Sequence, residues 1–206
     1  MMYSQHEEEK HILEIFAGKP TGTFLDVGAW NGKIFSNTCR LAELGWSGVL
    51  VEPSPGPFRD MVQLHGQNPR LRLLNAAVVP NEVAIAPMRF YATDDALSTS
   101  SEDFREIWAP VANYRPIYVM PITAYYLAQF CEDQIGAMPV DLVSVDTEGT
   151  SFEVAQSLCW AFKIQPRAWC VEYLTRAKSH GDDFKALFKD YRLVYTSTEN
   201  MLFARD

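Results

Sequence analysis

The stretch Phe24-Leu25-Asp26-Val27-Gly28-Ala29-Trp30-Asn31-Gly32 decides the fold. With Thr23 it opens as an apolar run of strand length, crosses two glycines and leads toward a segment with helical periodicity, Ser36 to Leu44. Gly28 and Gly32 omit the Cβ where a ligand or a second backbone must come close. The helix that follows presents unpaired amides at its first turn. A strand, a glycine turn and a helix in this order form a cradle for a cofactor.

Working outward, the same kind of run recurs at Gly48 to Glu52 (GVLVE), Leu71 to Val78 (LRLLNAAV), Asp141 to Asp146 (DLVSVD) and Ala168 to Tyr173 (AWCVEY). Short apolar runs closed by Gly, Pro or acidic residues are the mark of strands buried on both faces. Helix-period stretches lie between them at Pro57 to His65, Ile122 to Glu132 and Ser151 to Trp160. Alternating strands and helices predict a doubly wound, Rossmann-like α/β sheet that binds its ligand at the carboxyl ends of the strands.

Two parts break the alternation. Tyr191 to Thr196 and Met201 to Ala204 are separated only by Ser197 to Asn200, which predicts an antiparallel hairpin at the sheet edge. Met88 to Tyr91, preceded by Val83 to Ile85, reads as an extra hairpin after the third strand. From Ala92 to Pro121 the chain is polar and interrupted by Pro110 and Pro116. That length exceeds ordinary connections and suits a lid or substrate-recognition loop.

The chain has 206 residues, 48% of them apolar and 13% aromatic, enough to bury the core of one domain. Its net charge of −8 opposes a polyanionic partner and makes nucleic acid a poor expectation. No run approaches the roughly 18 apolar residues of a membrane helix, and the opening MMYSQHEEEKH is acidic where a secretory signal is basic. The expectation is a soluble, cytoplasmic protein with no membrane partner. Cys39, Cys131, Cys159 and Cys170 are scattered, with no CxxC pair, and read as free thiols in a reducing compartment.

The dinucleotide fingerprint GxGxxG seats a pyrophosphate on the helix end. Here Asp26 precedes the first glycine, where it opposes phosphate and can accept from an ammonium group or brace loop amides. The better match is a ligand with an α-amino group and no phosphates, S-adenosylmethionine. Glu52 ends the second strand 20 residues after Gly32, near the spacing of a ribose-binding acid. Pro53 stops that strand and fixes the turn. Asn75 and Ala76 end the third strand, where small side chains leave room for adenine and an amide can read its edge. Close packing accounts for the alanines equally well.

FLDVGAWNG, SNT at Ser36 to Thr38, GW at Gly45-Trp46, VLVEPSP from Val49 to Pro55, NAAV from Asn75 and DLVSVDTEG from Asp141 together resemble the FkbM-type S-adenosylmethionine-dependent methyltransferases. The resemblance runs over about Ser4 to Trp160 and implies the class I methyltransferase fold, which with the chain length gives a single domain over residues 1–206. That fold is a mostly parallel seven-stranded sheet with an antiparallel C-terminal hairpin strand, preceded here by an N-terminal helix within residues 1–20. It also implies methyl transfer to oxygen, on a hydroxyl of a sugar, glycan or small metabolite. It carries cofactor contacts to Asp26, Gly28, Asn31, Gly32 and Glu52, with Ala29 between them. Two features depart from the family. A Ser-Gln-x-Gly-Glu-Asp-like opening is replaced by Ser4-Gln5-His6-Glu7-Glu8-Glu9, in which Ser4 and Glu7 can form a capping box. Trp30 stands where small or polar residues are common, and either covers the cofactor or packs outward.

An aliphatic hydroxyl is a poor nucleophile, and a positioned carboxylate can take its proton during attack. Asp146 and Glu148, in VDTEG after the fourth strand, are the leading candidates, with Glu172 at the end of the fifth. The alternative is that they brace loop amides or cap the next helix. The three acids could also gather a hard cation, although nothing else supports a metal. His6, His11 and His65 read as surface residues, and His180 as a solvated loop residue or a base. Trp108, Tyr114 and Ser98 to Ser101 are open to either acceptor binding or packing. Two other functions stay in view: an NAD-type oxidoreductase and a non-catalytic S-adenosylmethionine-binding module.

Overall fold

The computed structural model describes residues 2–83, 86–93, 95–134, 139–176 and 178–206. Its first third alternates α1 (Glu8–Ile15), β1 (Thr23–Val27), α2 (Cys39–Glu43), β2 (Ser47–Val51), α3 (Pro55–His65) and β3 (Leu71–Leu74). An inserted stretch follows: β4 (Ala77–Val79), β5 (Met88–Ala92), α4 (Glu102–Trp108), β6 (Arg115–Val119) and β7 (Pro121–Thr123). Alternation resumes with α5 (Ala124–Gln134), β8 (Leu142–Val145), α6 (Ser151–Ala161), β9 (Ala168–Glu172) and α7 (Gly181–Leu187), and the chain closes on β10 (Arg192–Thr196) and β11 (Asn200–Ala204).

Seven strands form one sheet in the order β10-β11-β9-β8-β1-β2-β3. The five from β3 to β9 run parallel, and β11 is antiparallel to both neighbours. This is the expected mostly parallel seven-stranded sheet with its antiparallel closing hairpin. Its register follows from burial on both faces. Leu25 and Val27 pack with Val49, Val143 and Trp169 beneath Leu127, Leu158 and Phe184 of α5, α6 and α7. Phe24 points the other way, with Leu50, Leu142 and Leu202, onto Ile12, Leu41 and Met61 of α1, α2 and α3. A slip of one residue would exchange the faces of every side chain in β1. Each large apolar group fully buried is worth about 1.5–3 kcal/mol, so that slip is strongly disfavoured.

From β1 the chain steps outward to β3 on one side, then returns to lay β8 against the other side of β1. The winding reverses between β1 and β8, and such a reversal leaves a crevice at the strand ends.

Several local expectations are corrected. Leu71 to Val78 is not one strand: Asn75 Nδ2 donates to the carbonyl oxygens of Glu52 and Pro53 at 2.8 and 3.1 Å, and beyond this anchor Ala77–Val79 leaves the large sheet to pair with β7. Met88 to Tyr91 pairs not with Val83 to Ile85 but with β6, from Met88↔Val119 to Ala92↔Arg115. Residues 84 and 85 of that expected partner lie outside the described residues. Residues 92–121 are not one long loop. They hold α4, capped by Ser101 Oγ accepting the Phe104 amide at 3.2 Å, and β6, whose Pro116 is tolerated in a two-stranded sheet that is all edge. The helix expected from Ser36 begins at Cys39, because Ser36 Oγ accepts the amides of Thr38 and Cys39 in a preceding turn. At α1, Glu7 makes no side-chain cap, and the carboxylates of Glu8 and Glu9 accept the amides of His6 and Tyr3 at 2.9 and 2.7 Å. The four cysteines are free.

Candidate active site

The crevice at the reversal point holds about 940 Å³ of empty space, its open mouth included. The turn after β1 supplies Gly28, Ala29 and Trp30; Glu52 and Pro53 follow β2; Ala76, Ala77 and Val78 form the floor beyond β3; and Asp146, Thr147 and Glu148 follow β8. Four carboxylates reach it, those of Asp26, Glu52, Asp146 and Glu148, while its described lining contains no Lys, Arg or His. A diphosphate would meet repulsion here without a compensating cation. A ligand bearing cationic centres and hydroxyls is matched.

Asp26 is 4% exposed and accepts the Thr38 hydroxyl at 2.6 Å, which ties β1 to the residue preceding α2. Burial pushes its carboxyl up to about 6, against the pull of the Thr38 and Ser144 hydroxyls. Glu52 is 5% exposed and accepts the amides of Trp30 at 3.0 Å and Ser54 at 2.6 Å, one on each oxygen. Burial raises it to about 7, with those backbone bonds opposing. Each oxygen keeps a second lone pair, so two ligand hydroxyls can still be accepted.

The remaining expected cofactor residues divide. Gly28, Ala29 and Ala76 line the crevice. Gly28 has φ +82°, and a Cβ there would stand 1.6 Å from the carbonyl oxygen of Asp146, so the close approach of the two loops demands glycine. Asn31, Gly32 and Asn75 do not line it. Asn31 Oδ1 accepts the amides of Lys33 and Ile34 at 3.0 and 2.9 Å, shaping the turn. Gly32 packs on His65, whose Nε2 lies 2.8 Å from the Gly32 carbonyl oxygen. His65 is therefore buried and holds the loop from behind, which corrects its reading as a surface residue. Asn75 braces the turn after β2, as described.

Asp146, Glu148 and Glu172 converge, each offering a carboxylate oxygen within 4.8 Å of the others. Glu172 accepts the Ser151 hydroxyl at 2.6 Å and the Glu148 amide at 3.1 Å, and it faces a neighbouring groove with Ser151, Phe152 and His180. Oδ1 of Asp146 is buried with no partner among the described residues. Burial, and then the charge of Glu172, hold Asp146 and Glu148 well above the ordinary carboxylate range. Glu172 is also raised by burial, although Ser151 opposes. Burial and mutual repulsion favour the neutral form of each acid, and whichever carboxylate of the group is ionised can accept a proton from a bound hydroxyl.

The inserted stretch closes over this rim. Thr99 Oγ1 donates to the Glu148 carbonyl oxygen at 2.6 Å, and Ser98 and Ser100 line the crevice. Trp108 lies beneath the Arg176 guanidinium at 3.9 Å, linking α4 to the loop after β9, and Tyr114 donates to the Leu97 carbonyl oxygen at 3.1 Å. The side chain of His180 is 13% exposed, stacks on Phe152 at 4.9 Å and pairs with Asp183 at 2.8 Å, so it is not a solvated loop residue. Sequence reasoning missed Thr38, Ser144 and Phe35, all of which border or brace the crevice. The SNT at Ser36 to Thr38 was the one available signal.

Fold and crevice together define a Rossmann-like nucleoside-cofactor protein with the strand order of class I methyltransferases. The model of the Methyltransferase FkbM domain matches residues 26–195, and the chain belongs to the FkbM methyltransferase family. Membership implies S-adenosylmethionine as the cofactor. No curated protein matches the chain in sequence. Among solved structures, it is similar to Methyltransferase FkbM from Methylobacillus flagellatus KT, with 11% identity and a TM-score of 0.53 over 90% of this chain and 44% of that one. The chain thus spans less than half the length of that protein. A TehB-like SAM-dependent methyltransferase from Corynebacterium glutamicum matches at 11% identity and a TM-score of 0.47, over 98% of this chain and 89% of that one. The crevice fits the family's cofactor on its own chemistry: buried acceptors at Asp26 and Glu52, an indole N–H of Trp30 buried without a partner among the described residues, and a lining free of described basic side chains.

Proposed function

We propose that this protein transfers a methyl group from S-adenosylmethionine to a hydroxyl oxygen of a sugar, glycan or small metabolite. The observation that carries the reading is the acid-lined crevice between β1 and β8, lacking described basic side chains, in a chain of this family. The cofactor supplies an electrophilic methyl carbon. What remains for the protein is to align the acceptor, exclude water and manage one proton. Asp26 and Glu52 accept from the cofactor's ammonium and hydroxyl groups. Gly28, Ala29 and Ala76 leave room for it, while Asn31, Gly32 and Asn75 hold the surrounding turns. Asp146 or Glu148 takes the acceptor's proton, and Glu172 orients them through the Glu148 amide and the shared rim. Residues 92–121 select the acceptor, and residues 1–206 work as one domain in the cytoplasm.

Titration calorimetry with S-adenosylhomocysteine, followed by labelled-methyl transfer to a panel of carbohydrates and hydroxylated metabolites, tests the reading. Binding and a methyl ether product are expected. Thermal stabilisation by NAD with indifference to S-adenosylhomocysteine would replace it with an oxidoreductase. Transfer to nitrogen or carbon would remove the O-methyl assignment.

A further inference from the structure

Three non-glycine residues with positive φ occur among the described residues, Trp30 at +46°, Phe35 at +58° and Glu148 at +51°, and all three line the same crevice. Side chains at such angles are strained and persist only where surrounding structure holds them. Trp30 is held by its amide, which donates to Glu52, and by its ring, which stacks on Phe35 with centroids 6.0 Å apart and planes 13° apart. Phe35 is in turn fixed by a backbone bridge to Ser4. Despite this, the Trp30 indole N–H is buried and meets no acceptor among the described residues. A buried donor without a partner is destabilising unless a ligand completes it.

We propose that Trp30 is a binding residue for the nucleoside half of the cofactor, its indole backed by Phe35 as one wall of the crevice and its N–H donating to the ligand. The inference rests on the cofactor reading above and adds to it an aromatic wall and one donor that Asp26 and Glu52 do not supply. The bond from the Trp30 amide to Glu52 places the wall beside the acid that accepts ribose hydroxyls in that reading. The contacts that hold the strained backbone at Trp30 and Phe35 keep both rings in place before the ligand arrives, which lowers the ordering cost of binding.

Tryptophan emission tests this directly, because none of the other four tryptophans lines the crevice. Trp46 and Trp169 lie in the cores, Trp108 beneath Arg176, and Trp160 is exposed on α6. Saturating S-adenosylhomocysteine, with occupancy verified by calorimetry, is expected to shift the emission of the wild-type protein. Trp30→Phe keeps a ring and loses the donor. It should abolish the shift and weaken S-adenosylhomocysteine about fivefold, the worth of one hydrogen bond. Trp30→Ala should weaken it further, and adenosine should show the same ranking while methionine does not. An unchanged emission at full calorimetric occupancy of the wild-type protein overturns the proposal, whether or not the variants fold. So does wild-type affinity in a folded Trp30→Ala. Absence of any calorimetric binding by the wild-type protein would instead remove the cofactor reading, and this inference with it.

Discussion

Glu52, just past the end of β2, accepts the amide N–H of Trp30, in the turn after β1, at 3.0 Å. One buried carboxylate therefore joins the exits of two adjacent parallel strands and fixes the angle at which the first turn leaves the sheet. The same carboxylate is the ribose acceptor in the proposed site, so fold and ligand draw on one group.

Its protonation should be visible in stability. Burial raises Glu52 from 4.5 to about 7, so the folded protein holds a proton that the unfolded chain has released. The associated stability is fully present below pH 4.5 and is lost as pH rises through about 7, up to about 3 kcal/mol. Denaturant unfolding of the ligand-free protein should show Glu52→Gln losing less stability than wild type between pH 5 and 8. Parallel pH curves for the two proteins would contradict this.

Ligand binding should have the opposite pH dependence. An ionised Glu52 accepts hydroxyl bonds better than the neutral acid, since charge-assisted bonds are the stronger. S-adenosylhomocysteine should bind several-fold more tightly at pH 8 than at pH 6, with proton release detected by calorimetry in buffers of different ionisation heat. Glu52→Gln should flatten that dependence.

Gly28→Ala places a methyl group 1.6 Å from the Asp146 carbonyl oxygen at a residue with φ +82°. Gly45 has φ +86° but open space around it, and so separates backbone strain from collision. Gly45→Ala should cost about 1 kcal/mol and Gly28→Ala at least about 3, with loss of S-adenosylhomocysteine binding only in the latter. Equal losses in thermal unfolding would show that the two loops are not held against each other.

Glu148→Gln removes one of three crowded acids while preserving the backbone N–H that Glu172 accepts. Turnover should fall by about a hundredfold, with S-adenosylhomocysteine affinity within about threefold of wild type. If affinity drops and turnover at saturation is retained, Glu148 supports the crevice and takes no proton.

Much of this architecture was legible beforehand, for reasons visible in particular residues. Phe24, Leu25 and Val27 are apolar because both faces of β1 are covered, and a two-faced strand announces itself as a short unbroken run. Asp26 and Glu52 stood out because acids at the ends of such runs sit where a wound sheet opens. The break at Asn75 was hidden, since it depends on carbonyl groups of Glu52 and Pro53 supplied from another part of the chain. The pairing of Met88–Ala92 with Arg115–Val119 was hidden for the same reason, as was the burial of His65 against Gly32.

The order of residues alone determined that strands and helices alternate, that the central strands are covered on both sides, and that acids and glycines gather at one end of the sheet. Those properties follow from local periodicity and from the backbone freedom of single residues. Which acids share a crevice, which proton each holds, and why Trp30 is strained were decided only in three dimensions. Burial and electrostatic coupling depend on neighbours that lie many residues apart along the chain.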